Sequence, residues 1–529
     1  MSSYFSLSFI FVFLIVVIAA YAIVPRRARW CVLLAASYIF FWCLSSTLIV
    51  FILASTLTIY GCALGMNSFI AKRDKLLAQA QSGKKQIRQD CKRNMRAVLV
   101  VGVLVNLLIL IVLKYLGFFG EVAASLLSAF GVEVAFVAPS IGIPIGISFY
   151  TLMAISYLVD VFRETVKADR HLGRVALFLS FFPQIMEGPI CRYGQTAMAL
   201  GAGEPIKRSN LYEGSLRFLF GLAKKFIVAD RLNSFVEPVF EDYAAYDGGI
   251  IALGAILYTI QLYCDFSGTM DLAIGMGRIF NVDLPENFRQ PFFSRTASEF
   301  WQRWHITLGT FFKDYIYYPV SLSKPCKRIT SAARKKLGNR YGPLLASGIA
   351  LFCVWVCNGL WHGAGSQYLF FGMYYFVLIM AGSLIDPPAQ NLAARLHIDR
   401  DSTGYRIFQI LRTWIVIFVG ELFFRANGLD AGLEMFATMV GGFTLDSFAT
   451  GAFLEIGLDV QDYAIVIAMV VFMLVVGIIR ERGGQICSFM RTHGMLVRWG
   501  VWAAMILLIV IFGAYGAEYD PVDPMYAEF

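Results

Sequence analysis

Two histidines stand out among the five in this chain, because they sit in apolar, aromatic surroundings. His305 lies in the stretch from Pro285 to Pro319, which is crowded with Trp, Phe, Tyr and Arg. His362 closes the run Asn358-Gly359-Leu360-Trp361-His362 inside an otherwise apolar segment. A neutral imidazole accepts a proton near pH 7 and returns it, and burial keeps it available as a base by disfavouring the cation. His171, His397 and His493 sit among charged residues and read as surface histidines.

The neighbours of the pair extend this reading. Asn358 and His362 are four residues apart and would share one helix face, where the amide can orient the ring or donate to a developing oxyanion. Trp361 and the following Gly363-Ala364-Gly365 would let a substrate approach the backbone closely. Trp301 and His305 have the same four-residue spacing, and Trp304 would line an apolar channel. Each residue also has a plainer reading: His305 as an interfacial residue among aromatics, His362 as a helix-end histidine bonded to backbone, Trp304 as ordinary core. Asp265 and Asp271 lie within an apolar run, where acids are costly and are functional candidates. They would orient an Arg or a His, or pair with Arg278 or Arg303 to hold helices together. The chain lacks a Ser-His-Asp order, a G-x-S-x-G elbow and a P-loop, so it offers no visible nucleophile. A histidine base that activates another molecule's hydroxyl is the simpler chemistry.

The elements that must position these residues are membrane helices. Of 529 residues, 58% are hydrophobic and 15% charged, and mean hydropathy is +0.65. A soluble domain carries about 25% charged residues. Apolar blocks of about 20 residues recur, the length that crosses a ~30 Å hydrocarbon core as a helix. Strand-like alternation does not dominate, which argues against an outer-membrane barrel. The expected fold is all-α: one polytopic membrane bundle over residues 1–529, with about 10–12 transmembrane helices. The net charge of +9 does not point to nucleic acid, because nine basic residues cluster between Lys72 and Arg96 and seven between Lys324 and Arg340. Clusters between apolar spans mark cytoplasmic loops. With Arg26, Arg27 and Arg29 after the first span, they place both termini outside the cell. The ten cysteines show no C-x-x-C pairing and suggest neither a disulfide framework nor a metal site.

Several spans should be irregular. Ser45-Ser46-Thr47 reads as a hairpin tip between two short spans, and residues 119–138 as an outer-surface segment. Pro139, Pro144 and Gly146 open residues 139–162 as a broken helix, and Pro183, Gly188 and Pro189 make 175–195 a re-entrant loop. Residues 211–232 should lie at the interface or pack against protein, with Lys224 and Lys225 snorkelling. Pro285–Pro319 is too charged to span and too aromatic to float, so it should form short helices dipping into the bundle. A polar loop with Asp386-Pro387-Pro388 should join two crossings, and residues 426–460 should lie outside.

These residues also carry a family resemblance. Trp304-His305-Ile306-Thr307-Leu308, continuing through Lys313-Asp314-Tyr315-Ile316-Tyr317, resembles the membrane-bound O-acyltransferase superfamily. The fuller run from Met270 to Pro319 is similar to its bacterial alginate-acetylating branch. Gly359 to Ala364 is similar to that family's second histidine motif, and Glu187 to Tyr193 and the C-terminal YDPVDPMYAEF match more loosely. Gly309 stands where serine is expected, Lys313 where arginine is usual, and Val320-Ser321-Leu322 replaces Leu-Gly-Gly. The resemblance implies a central tunnel with two histidines at its narrow part, His362 as catalytic base and His305 as a second essential histidine nearer the cytoplasm. It implies no bound cofactor and an acyl thioester donor such as acetyl-CoA, which the basic run 324–340 would attract. The acceptor would be an extracytoplasmic glycopolymer of a bacterium, reached through a secreted or membrane-anchored esterase-like partner. D-alanyl transfer to teichoic acid keeps the same fold. A polymer-precursor flippase using the intramembrane acids and a non-catalytic scaffold are the alternatives of other classes.

Overall fold

A computed structural model describes residues 3–132 and 142–515. Pro139 and the C-terminal YDPVDPMYAEF lie outside the described residues. Among the described residues the regular elements are all helical. Eight helices among the described residues are long and apolar enough to cross a membrane, and two shorter apolar helices, Phe9–Ile23 and Ile147–Phe162, accompany them. The first of the eight, Arg26–Gln79, is interrupted at Ser46, where φ is 45°, within the Ser45-Ser46-Thr47 run. Large apolar side chains such as Leu104, Leu108, Val471 and Ile511 are exposed. In a chain this apolar, such faces meet hydrocarbon rather than water.

The chain groups into two compact units, one of Met1–Phe218 and Leu272–Pro285, the other of Leu219–Asp271 and Glu286–Met525. In the first, the helices Ile49–Gln79 and Lys84–Leu110 form a long hairpin, so the basic stretch Lys72 to Arg96 is the helical tip of that hairpin. The segment 175–195 is broken rather than one continuous helix. The Leu172–Ser180 helix stops at Phe181, a single turn Phe182–Ile185 follows, and the chain runs extended to Arg192. Buried polar groups satisfy this break. Tyr4 Oη donates to Phe182 O at 2.5 Å, Met186 N donates to Tyr4 Oη at 3.2 Å, and Phe182 N donates to Ser37 Oγ at 3.0 Å. Gly146 starts the Ile147–Phe162 helix with φ 68°, and a Cβ there would sit 1.7 Å from Ile185 O. Only glycine fits both the left-handed backbone and the close approach.

In the second unit the helix before Ala223 continues through a wider π-helical turn, Lys224–Ala229, into Asp230–Glu241. Its lysines do not snorkel. Lys224 and Lys225 are buried because the neighbouring Gly248–Ile279 helix presents carboxylates to them. That helix is core: 72% of its most apolar window is buried, against 11% for Val460–Glu481. The Pro285–Pro319 stretch folds as a short helix, Ala297–Arg303, a tight turn at Trp304 and His305, and a second helix that runs from Ile306–Phe312 through a π-helical turn, Lys313–Tyr317, into Tyr318–Ser321. The Lys324–His362 helix kinks at Gly338, where φ is 73° and ψ 177°, so the basic run before it is a helical arm rather than a loop. The next helix, Ser366–Arg395, runs through Asp386-Pro387-Pro388 instead of ending there. A proline removes one backbone donor and strains one turn without forbidding the helix on either side. Asp386 braces this turn from outside, accepting from Gln390 Nε2 at 2.7 Å and Arg400 Nη2 at 2.8 Å.

Candidate active site

His305 sits at a deliberate break. The Ala297–Arg303 helix opens on Thr296, whose hydroxyl accepts from Glu299 N, and it ends before Trp304. His305 then takes the left-handed conformation, φ 46° and ψ 51°, and the Ile306–Phe312 helix begins. For a residue with a Cβ this conformation costs about 1–2 kcal/mol, and such strain concentrates at functional sites. It also separates Trp301 from His305, because four-residue spacing gives one face only along an unbroken helix. Trp301 packs instead against Trp355 and Tyr375, at ring distances of 5.1 and 4.8 Å.

Asn287 holds the break together. Its backbone carbonyl accepts from Ile306 N at 3.0 Å, and its side-chain Oδ1 accepts from Thr307 N at 3.0 Å and Thr307 Oγ1 at 2.9 Å. It thus caps the first turn of the new helix from a distant point in the sequence, as an N-cap residue otherwise would. His305 Nδ1 lies 3.2 Å from the same Oδ1. An oxygen already receiving donors binds the imidazole only through an N–H, so Nδ1 carries the proton and Nε2 presents its lone pair. Asn287 Nδ2 donates to Met270 Sδ at 3.2 Å, which fixes the amide the right way round. Phe266 closes over the ring edge-on at 4.8 Å. His305 lies outside the membrane-spanning helices, and burial pushes its imidazole down to about 3, so the ring is neutral at working pH.

His362 is the last residue of the Lys324–His362 helix, and the extended Gly363 turns the chain into the helix that starts at Ser366. These two helices touch backbone to backbone. A Cβ on Gly359 would lie 2.5 Å from Tyr368 O, and one on Gly372 would lie 2.4 Å from Trp355 O. The contact pins the helix end and sets the His362 ring among Trp361, Phe371 and Phe424, at 4.9, 6.1 and 5.1 Å.

The two histidines meet across one indole. Trp361 lies 5.6 Å from the His305 ring and 4.9 Å from the His362 ring, and all three residues are buried. Asn358, one turn before His362, is buried, and its Oδ1 has no donor among the described residues. Trp304 turns into an aromatic core, stacked on Phe300 at 5.3 Å and edge-on to Phe288 at 5.0 Å. Asp265 pairs with Lys225 at 2.7 Å, and Lys225 reaches Asp230 at 3.0 Å. Asp271 pairs with Lys224 at 2.7 Å. The partners are therefore lysines of the preceding helix, while Arg278 goes to Glu213 and Asp283 and Arg303 to Glu299 and Glu481. Of the other histidines, His171 and His397 are exposed.

Sequence reasoning missed Asn287 and the aromatic lid of Phe266 and Phe424. Asn287 sat inside the Pro285–Pro319 stretch, but its register relative to His305 follows no helical or strand spacing. Replacing Asn287 with leucine removes the tautomer lock and leaves the Thr307 donors unsatisfied. Turnover should fall by about 10–100-fold, by analogy with groups that orient reactive histidines, with a smaller change in KM. Steady-state acyl-transfer kinetics on purified protein would check this. Equal loss of activity and melting temperature would instead mark Asn287 as structural alone.

Residues 163–334, which include His305, match the profile of MBOAT, the membrane-bound O-acyltransferase family. The chain is 31% identical over 432 residues to a probable alginate O-acetylase of Azotobacter vinelandii, covering 82% of this chain and 76% of that protein. It is 29% identical over 374 residues to a peptidoglycan O-acetyltransferase of Helicobacter pylori, 65% of each chain. It is also 29% identical over 242 residues to a teichoic acid D-alanyltransferase of Bacillus subtilis, 44% of this chain and 58% of that one. The chain belongs to the membrane-bound O-acyltransferase family. Within it the chain falls in the branch of the alginate O-acetylases, and it is a multi-pass membrane O-acyltransferase.

Proposed function

We propose that this protein, working as one membrane domain in a bacterial cell membrane with both termini outside, moves an acetyl group from a cytoplasmic thioester toward an extracytoplasmic polysaccharide. The observation that carries the reading is the pair of buried histidines sharing the Trp361 indole, one of them locked as a neutral Nε2 base. His362 removes the proton from an acceptor hydroxyl as that oxygen attacks the thioester carbonyl. The new C–O bond forms, the C–S bond breaks, and the imidazolium returns the proton to the departing thiolate. His305 and the Asn358 amide polarise or position the partners, and Trp361 walls a tunnel between the two rings. The donor is acetyl-CoA or another acetyl thioester. Support for an anionic donor comes from an open groove of about 540 Å³ on the surface of the basic arm, lined by Lys327, Arg328, Lys335 and Lys336. An esterase-like partner outside the membrane would complete the transfer to polymer, as the acceptors named for the relatives suggest.

The D-alanyl relatives support a second reading with the same fold and a different acyl group. One experiment separates the two. Protein reconstituted in liposomes is given labelled acetyl-CoA or, in a parallel arm, a labelled D-alanyl thioester inside, and a small oligosaccharide acceptor with its periplasmic partner outside. Label on the acceptor from acetyl-CoA supports acetyl transfer. Label released only from a D-alanyl thioester would overturn it, and movement of intact acceptor without acylation would favour a flippase.

A further inference from the structure

The first unit holds a second charged site. Where the Ile49–Gln79 and Lys84–Leu110 helices leave their apolar spans, they enclose a cavity of about 660 Å³ with the end of the Ile147–Phe162 helix. Four cations border it, Arg73, Arg88, Lys92 and Arg163, against two carboxylates, Asp74 and Glu164. Both carboxylates are committed to one guanidinium. Arg73 donates from Nε to Asp74 Oδ1 at 2.9 Å, and from Nη2 to Glu164 Oε2 at 2.9 Å with a second, shorter bond from Nη1. Glu164 reaches Arg73 from a left-handed backbone, φ 61°. The Arg73 hydrogen bonds hold its carboxyl below the ordinary carboxylate range, so it stays ionised.

Arg88 and Lys92 are thereby left without a direct ion pair among the described residues, Lys92 acting on Glu164 only at longer range. They lie one turn apart on one helix face, and neither has a carboxylate within ion-pair distance among the described residues. Like charges gathered around a cavity repel unless an anion sits between them. The wall behind them is apolar, formed by Leu77, Met95 and Phe162. Further along the Lys84–Leu110 helix, beyond Arg96, Val100, Leu104 and Leu108 are exposed apolar side chains. A cationic cavity on a helix that goes on to expose apolar side chains fits an anionic headgroup carried on acyl chains.

We propose that this cavity binds the phosphate ester headgroup of an anionic phospholipid, with Arg88 and Lys92 as its principal cations and the Arg73–Glu164 pair as the fixed wall. A free phosphate shares the headgroup chemistry but lacks the chains that would lie on those apolar side chains. Full-length protein in detergent would be titrated with phosphatidylglycerol, phosphatidylcholine and inorganic phosphate, and bound molecules counted by native mass spectrometry. One phosphatidylglycerol should bind at least about tenfold more tightly than phosphatidylcholine, and R88Q/K92Q should remove that preference. K84Q/K85Q, with the same charge change on the same helix but outside the cavity lining, should keep it. Arg88 and Lys92 are exposed, so R88Q/K92Q should match the wild-type melting temperature, and the comparison is made only on protein that does. Equal phosphatidylglycerol binding by R88Q/K92Q and wild type would overturn the site. Inorganic phosphate displacing the lipid at comparable concentration would overturn the lipid assignment in favour of a free-phosphate site.

Discussion

Replacing His362 with alanine should lower acyl transfer by at least about a hundredfold, within the 10²–10⁴ range of a lost general base. The ring is held by aromatic edges on three sides, so its removal leaves a small apolar cavity rather than an unpaired charge. Glutamine keeps much of the volume and a polar tip but is not a base at neutral pH. The pair H362A and H362Q therefore separates chemistry from packing. Both should lose label transfer to acceptor, with H362Q melting close to wild type and H362A somewhat lower because of the cavity. Transfer near the wild-type rate in H362Q would remove His362 from the proposed chemistry. The proton would then have to be taken at His305, whose Nδ1 is already committed to Asn287 and whose Nε2 remains the acceptor.

The second large effect is on stability. Lys225 is 1% exposed and stands between Asp265 and Asp230. Methionine at this position keeps most of the volume and removes a charge that offsets two buried carboxylates. Breaking a buried pair in this way costs about 3–5 kcal/mol, because the remaining charge has lost its partner and cannot reach water. Lys225→Met should therefore express poorly or melt at a markedly lower temperature. Restoring neutrality with Asp265→Leu and Asp230→Leu in the same chain should recover much of the loss, since apolar replacements of whole ion-pair groups are often near neutral. If Lys225→Met melted like wild type, the cluster would not be a helix lock. If the triple variant were stable but inactive, Asp265 would regain a role in the reaction.

The helix that carries these acids connects the lock to the site. On Gly248–Ile279, Asp265 and Asp271 face lysines, whereas Phe266 and Met270 touch His305 and its Asn287 anchor. One helix thus holds charge on one side and the reactive ring on another. We propose Asp265 as a positioning element at one remove from His305. The sequence raised helix-holding as the alternative to direct action and had the wrong partners for it, because it placed Lys224 and Lys225 at the membrane surface.

Much of the architecture was legible in the residues. Composition and block length required a helical membrane bundle, and Pro183, Gly188 and Pro189 marked a broken segment that indeed stops and restarts. The break after His362 was readable because Gly363-Ala364-Gly365 cannot extend an apolar helix cheaply. Pro387 and Pro388 misled, because a helix end needs lost hydrogen bonds that nothing replaces, and Asp386 supplies bracing.

By itself, the sequence determined the class of fold, the two histidines worth following and the family to which they belong. The first two depend on residue type and on spacing within single segments, which local physics reads directly, and the family came from the resemblance carried by the Trp304–Tyr317 run. Only the tertiary structure decided that His305 sits on a left-handed break, that Asn287 chooses its tautomer, and that one indole joins it to His362. It also decided that Lys224 and Lys225 are buried rather than snorkelling. Each of these is set by which distant helix presents a partner, and no periodicity along the chain encodes that choice.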